Sequence, residues 1–126
     1  MTSAWAAAIV LIATVALVSR LHPAWFPEAA ETGKVLVDEA KRLSYPIGYW
    51  NGLGSLLAIG LSLLLNTVST AESVVARSVS TAGIPVLLLT LYFTLSRSSF
   101  LAVGLGLAAY FVLVPDRIPK FATLLA

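Results

Sequence analysis

The placement of charge constrains this chain more than any motif in it. Its 8 basic and 6 acidic residues avoid four windows, 1–19, 43–71, 78–96 and 98–115, which hold 85 of the 126 residues. A charge-free run of about 18 residues or more is long enough to cross a bilayer core of about 30 Å as a helix. Four such windows exclude a soluble enzyme domain and a disordered chain. They also exclude a nucleic-acid binder, because the net charge of +2 comes with no dense basic patch. Cysteine is absent and His22 is the single histidine, which removes disulfides, thiolate metal sites, iron–sulfur clusters, cysteine nucleophiles and His-rich metal clusters. No P-loop, GxSxG, HExxH or paired-carboxylate pattern occurs, and no cofactor or metal is expected.

The windows predict an all-α membrane protein, a bundle of about four transmembrane helices over residues 3–18, 47–65, 80–95 and 99–114. The whole of 1–126 forms one transmembrane unit, expected to belong to a larger polytopic bundle. The first span has a rival reading as a cleaved signal peptide, but such peptides begin with a basic region, and no Lys or Arg precedes Arg20. Span two opens beside Tyr45, Tyr49 and Trp50, which suit the headgroup zone. Its Gly48 and Gly52 have the small-xxx-small spacing that lets another helix backbone approach. Thr67 to Ser80 reads as a polar turn. Residues 81–114 as one helix would extend roughly 51 Å and hold Arg97 at mid-membrane. Dividing the stretch at Ser96-Arg97-Ser98-Ser99 removes both difficulties.

The long polar connection, 19–46, carries Trp25 and Phe26 and then a predicted amphipathic surface helix over 28–43. There Leu36, Ala40 and Leu43 share one face. Asp38 and Arg42 have the spacing of a weak surface pair. Five basic residues lie on the side of this loop and Arg97, against three on the side of the termini. Read by charge alone, that favours the loop in the cytoplasm. Four acidic residues in the same loop weaken the count.

Two stretches resemble landmarks of the bacterial O-antigen ligase and O-antigen polymerase-type membrane proteins. In Arg42-Leu-Ser-Tyr-Pro-Ile-Gly-Tyr-Trp-Asn-Gly-Leu-Gly54, the family's arginine followed by Gly-x-x-Asn falls on Arg42, Gly48 and Asn51. In Leu89-Thr-Leu-Tyr-Phe-Thr-Leu-Ser-Arg-Ser-Ser-Phe-Leu101, the family's Ser-Arg-Gly turn between two spans falls on Ser96 and Arg97, with Ser98 in place of glycine. The Tyr49-Trp50-Asn51 element stands where many members have Asn-Pro-Asn. The resemblance implies a bundle of roughly a dozen helices that transfers a glycan from an undecaprenyl diphosphate carrier to an acceptor. It places the chain in the bacterial inner (cytoplasmic) membrane, with 19–46 and Arg97 on the outer side, against the charge count. The partners it implies are a lipid-linked glycan donor, membrane lipids and the remainder of the bundle.

Such a transfer needs a cationic clamp for the leaving diphosphate, best formed by arginine forks, and a general base for the acceptor hydroxyl. Arg97 suits the clamp; its plain alternative is a turn residue snorkelling to the interface. Arg42 is a second phosphate candidate, or simply the cationic end of the surface helix. Asn51 is a substrate-contact candidate, or an interhelical polar contact. His22 beside Pro23 reads as an interfacial residue. The family's essential histidine lies in a large outer loop of its later half, which the resemblance does not find here. The catalytic base is therefore unassigned, and the chain is expected to be inactive alone. The competing class is a small non-enzymatic membrane adaptor that packs on a larger complex through its glycine-bearing second span.

Overall fold

The computed structural model describes residues 2–27 and 41–113. Four helices account for most of them: α1, Thr2–Leu21; α2, Trp50–Thr70; α3, Val74–Thr94; and α4, Arg97–Leu113. A single 3-10 turn, Pro23–Trp25, follows α1, and no strand occurs among the described residues. The protein is an all-α membrane protein. The first three helices have the length and composition to cross a bilayer, with mean hydropathies of 2.0, 1.6 and 1.7. α4, 17 residues long, is equally apolar over its described length.

Several boundaries differ from those the sequence suggests. α2 begins at Trp50 rather than at 47, because Ser44 to Tyr49 form turns and Gly48 adopts a left-handed φ of +79°. The expected polar turn at 67–80 shrinks to Ala71–Ser73. Serine and threonine keep their hydroxyls satisfied inside helices by bonding the carbonyl four residues back, so polarity there does not break the helix. Thr67 does so to Leu63, Thr70 to Asn66 and Thr81 to Arg77. The expected amphipathic helix at 28–43 lies outside the described residues up to 40. Residues 41–43 are not helical.

α2 is the centre of the bundle and packs on each of the other three helices. Half of its span is buried, against 28% for α1 and for α3. α1 meets it with a stripe of small and branched residues, Ala6, Ile9, Ala13 and Ala16, all buried. Without a strong apolar driving force between helices in lipid, close backbone approach supplies much of the cohesion. Gly60 faces Ile9 and Leu87, and Gly83 faces Val10 and Leu64, where an added Cβ would stand 2.9 Å from Val10 Cγ2. Among the described residues no other helix approaches Gly48 or Gly52. Gly48 precedes the helix with open space around it, and Gly52 meets only Tyr49 and Ile47 of its own entry turn. The close approaches belong to Gly54, Gly60 and Gly83.

α1 and α3 are also joined by hydrogen bonding. The Thr90 hydroxyl, fully buried, donates to Val86 O at 2.7 Å and reaches Ala13 O of α1 at 3.3 Å. Hydrogen bonds between membrane helices average about 0.6 kcal/mol and reach about 1.7. Thr90→Val, which keeps the shape, is expected to lower stability by roughly 1 kcal/mol. Thermal unfolding in detergent micelles checks this, and an unchanged midpoint removes the Thr90 bond from the cohesive contacts.

The long apolar stretch 74–113 divides at only two residues. Leu95 takes the left-handed conformation, φ 50° and ψ 29°, as the cap of α3, and Ser96 follows as the cap of α4. Thus Arg97, Ser98 and Ser99 are the first turn of α4 and not a loop between spans. A left-handed non-glycine residue costs about 1 kcal/mol or more. Leu95→Gly is expected to raise stability by about 1 kcal/mol, because the side chain is 45% exposed and little packing is lost. A lower unfolding midpoint for that variant would show that Leu95 packing outweighs the backbone strain.

Candidate functional site

Antiparallel succession brings the C-terminal ends of α1 and α3 to the same end of the bundle as the N-terminal ends of α2 and α4. Arg20, Lys41, Arg42 and Arg97 gather there. Arg20 reaches Lys41 O at 3.5 Å and lies 6.0 Å from the Phe93 ring centre. The segment leading into α2 is tied down by Leu43, whose N–H donates to Phe93 O at 2.9 Å. Arg42 stacks its guanidinium over Trp50, 5.1 Å from the ring centre. Aromatic side chains surround this end: Tyr45 packs edge-on against Phe26, and Tyr49 lies beside Trp50. His22, exposed, stacks on Trp25 with the ring centres 4.7 Å apart. That contact occupies one face of its ring and belongs to the aromatic belt expected of a membrane interface.

At the centre of this end is a hydroxyl cluster. Ser96, 1% exposed, donates its hydroxyl proton to Asn51 Oδ1 at 2.7 Å. Ser96 Oγ in turn accepts from Ser99 Oγ at 2.7 Å and from the Ser99 N–H at 3.3 Å, and it lies 3.1 Å from Ser98 Oγ. Ser96 is thus the N-cap of α4, satisfying a backbone donor that the helix cannot, and the bridge from that cap to α2. Asn51 completes the bridge by donating from Nδ2 to the Tyr49 hydroxyl at 2.9 Å. The cluster forms because Gly54 leaves room for it. A Cβ at Gly54 would collide with Ser99 Oγ and stand 2.6 Å from Ser99 Cβ.

The three candidates from the sequence fall on this end in different situations. Arg97, exposed at the first position of α4, makes no hydrogen bond or ion pair with any described residue. Its backbone is fixed by the Ser96 cap on one side and the buried Ser99 on the other. A cation at a helix N-terminus adds to the positive end of the helix dipole, so it gains nothing from its own helix. Together they favour an anion. Arg42 is half-buried, with its guanidinium face spent on Trp50. Its edge donors are planar and suited to phosphate oxygens. Asn51 has both ends of its amide engaged within the chain, holding α4 against the entry of α2.

The sequence placed Tyr49 in the interfacial belt and Gly54 among the small residues of span two, but showed neither the Tyr49–Asn51 bond, nor the Gly54–Ser99 contact, nor the bridging role of Ser96. The cap itself carried a signal, a serine placed three residues before another at the start of an apolar run. Nothing local marks Gly54, since its neighbour is 45 residues away.

An apolar groove of about 300 Å³ lies toward the opposite end, between α1, α2 and α3, with Ala6, Val10, Leu64 and Val79 in its walls. Thr14 and Thr67 also line it, but their hydroxyls turn back to Val10 O and Leu63 O. It offers no charge to a polar ligand. Among the described residues, no three His, Cys, Asp or Glu side chains come together as metal ligands would. No family model, curated protein or solved structure matches this chain.

Proposed function

We propose that this chain is the donor-phosphate part of an O-antigen ligase-like transferase, one that moves a glycan from an undecaprenyl diphosphate carrier to an acceptor. The observation that carries the reading is Arg97, an exposed guanidinium with no hydrogen bond or ion pair among the described residues, beside the Ser96 cap at the arginine-bearing end of an apolar bundle. Charged groups at membrane depth are costly and mark functional pathways. A guanidinium fork matches two phosphate oxygens at once, as a diphosphate leaving group requires. In this reading Arg97 grips the diphosphate and Arg42, steadied by Trp50, supplies a second contact. Asn51 supports the turn. The base that activates the acceptor comes from the remainder of the bundle. The chain lies in the bacterial inner membrane with Arg97 on the outer side.

The test is affinity for a polyprenyl diphosphate, measured by native mass spectrometry on the detergent-solubilised chain, with and without Arg97. Loss of binding on Arg97→Ala supports the clamp, and unchanged binding removes it.

One observation favours the adaptor reading as well. α4 buries only Ser99, while Leu101, Leu105 and Val112 are exposed and Gly104 has nothing within 4 Å. In this second reading the exposed face of α4 serves as the adaptor surface beside the glycine-bearing second span. The two readings separate on Arg97: an adaptor tolerates its loss.

A further inference from the structure

The hydrogen bonds from Ser99 through Ser96 and Asn51 run in one direction and lead to Tyr49, to which the resemblance assigns no role. Ser99 Oγ donates to Ser96 Oγ. Ser96 has one hydroxyl proton and gives it to Asn51 Oδ1, an oxygen that can only accept. The Tyr49 hydroxyl, having accepted, keeps its own proton for a further acceptor. No other hydrogen bond from Tyr49 is formed among the described residues. Tyr49 is 52% exposed at the aromatic, arginine-bearing end of the bundle. Aligned hydrogen bonds polarise one another, so the chain from Ser99 to Asn51 strengthens Tyr49 as a donor.

We propose that the Tyr49 phenol donates a hydrogen bond to a lipid-borne phosphate group held by Arg97. The proposal rests on the donor-phosphate reading of Arg97 and adds a residue to it. Ser96, the second link of the chain, directly precedes Arg97, and Asn51 alone separates it from the Tyr49 oxygen. One cluster therefore positions the Tyr49 phenol and the backbone from which Arg97 projects. Arg97 supplies the charge and Tyr49 a neutral, directional donor. Ser96 and Asn51 are positioning residues that aim them. No bond is made or broken in this step, and the phenol stays protonated. The ligand chemistry is a phosphate oxygen on a lipid, supplied by either a polyprenyl diphosphate or an anionic phospholipid headgroup.

Titrating the full chain in micelles with undecaprenyl diphosphate, and separately with phosphatidylglycerol, tests the assignment by native mass spectrometry. Hydrogen bonds to charged groups contribute more than neutral ones, so Tyr49→Phe is expected to weaken the diphosphate lipid roughly tenfold. The phenylalanine ring preserves the contact with Trp50, and an unfolding midpoint near that of the unaltered chain identifies the loss as one of binding. Replacing Tyr49 by 3-fluorotyrosine, a stronger donor of nearly the same size, is expected to tighten binding, which a merely structural tyrosine would not do. An equal loss for phosphatidylglycerol upholds the phosphate contact and names the headgroup as its source. A loss confined to the diphosphate lipid names the carrier. If Tyr49→Phe binds both lipids like the unaltered chain while Arg97→Ala loses them, the Tyr49 assignment fails and the Arg97 reading stands. If Arg97→Ala also binds unchanged, both fail.

Discussion

Arg97→Ala is expected to lower the affinity of the solubilised chain for a polyprenyl diphosphate by roughly 50-fold, or about 2.3 kcal/mol. The magnitude follows from the chemistry of the lost group. Two parallel charge-assisted hydrogen bonds disappear together, and nothing else at this position replaces them. Arg97→Lys keeps the charge but not the fork, and is expected to retain all but about five- to tenfold of the affinity. Binding by the unaltered chain is expected to weaken as salt rises, because Arg97 is exposed and its attraction is screened over about a Debye length. Arg77 is the control. It stands at the opposite end of the bundle, bonded to Ala71 O at 3.3 Å, and Arg77→Ala is expected to leave affinity unchanged. Equal losses from Arg77→Ala and Arg97→Ala would reduce the effect to general charge and remove the clamp.

Gly54→Ala is expected to be the most disruptive single-methyl change in the bundle, with a cost of about 2–3 kcal/mol. Overpacking is relieved cheaply only where a flexible side chain can swing aside. Here the added carbon would meet Ser99 Oγ and Ser99 Cβ, atoms fixed by the backbone of α4 and by the Ser96 bond. α4 must therefore move away from α2, which also stretches the bond from Ser96 to Asn51. The partner change follows directly. Ser99→Gly removes both colliding atoms, so the double variant is expected to recover more than half of the loss, despite forgoing one hydroxyl bond. Ser99→Ala keeps the Cβ and is expected to recover little. A double-mutant cycle on unfolding free energy in micelles measures this coupling. Additive costs for Gly54→Ala and Ser99→Gly would mean that the two residues do not meet as described.

The same pair of residues separates what was legible from what was not. That α4 starts beside Arg97 was foreseeable, because one helix of 34 residues would overshoot the bilayer and bury a guanidinium at its centre. The exact break at Leu95–Ser96 was not. It rests on a leucine in a conformation that its side chain disfavours, tolerated because Ser96 can then cap α4 and reach Asn51. Glycine was read by spacing, and spacing chose Gly48 and Gly52. Whether a glycine is a point of contact depends on which helix lies opposite. That is a property of the bundle, and it chose Gly54, Gly60 and Gly83. Polar residues at 67–80 looked like a turn because serine and threonine often form one. In a membrane helix they bond their own backbone instead, and only Ala71–Ser73 escape.

The sequence by itself determined the environment and the class. Four charge-free runs of 18 residues or more, 85 residues together, satisfy their backbone inside lipid as helices, whose hydrogen bonds all lie within the segment. It also determined which cations stand at which ends, since charge must lie outside the apolar core. Only the tertiary structure decided which neutral polar groups meet. Tyr49, Asn51, Ser96 and Ser99 have no pattern that joins them, and their bonds exist because α2 and α4 cross at a glycine. The direct contact of 2.7 Å between Ser96 and Asn51, residues 45 positions apart, is fixed by packing of helix on helix. Hydropathy, a property of each segment separately, carries no information about that packing.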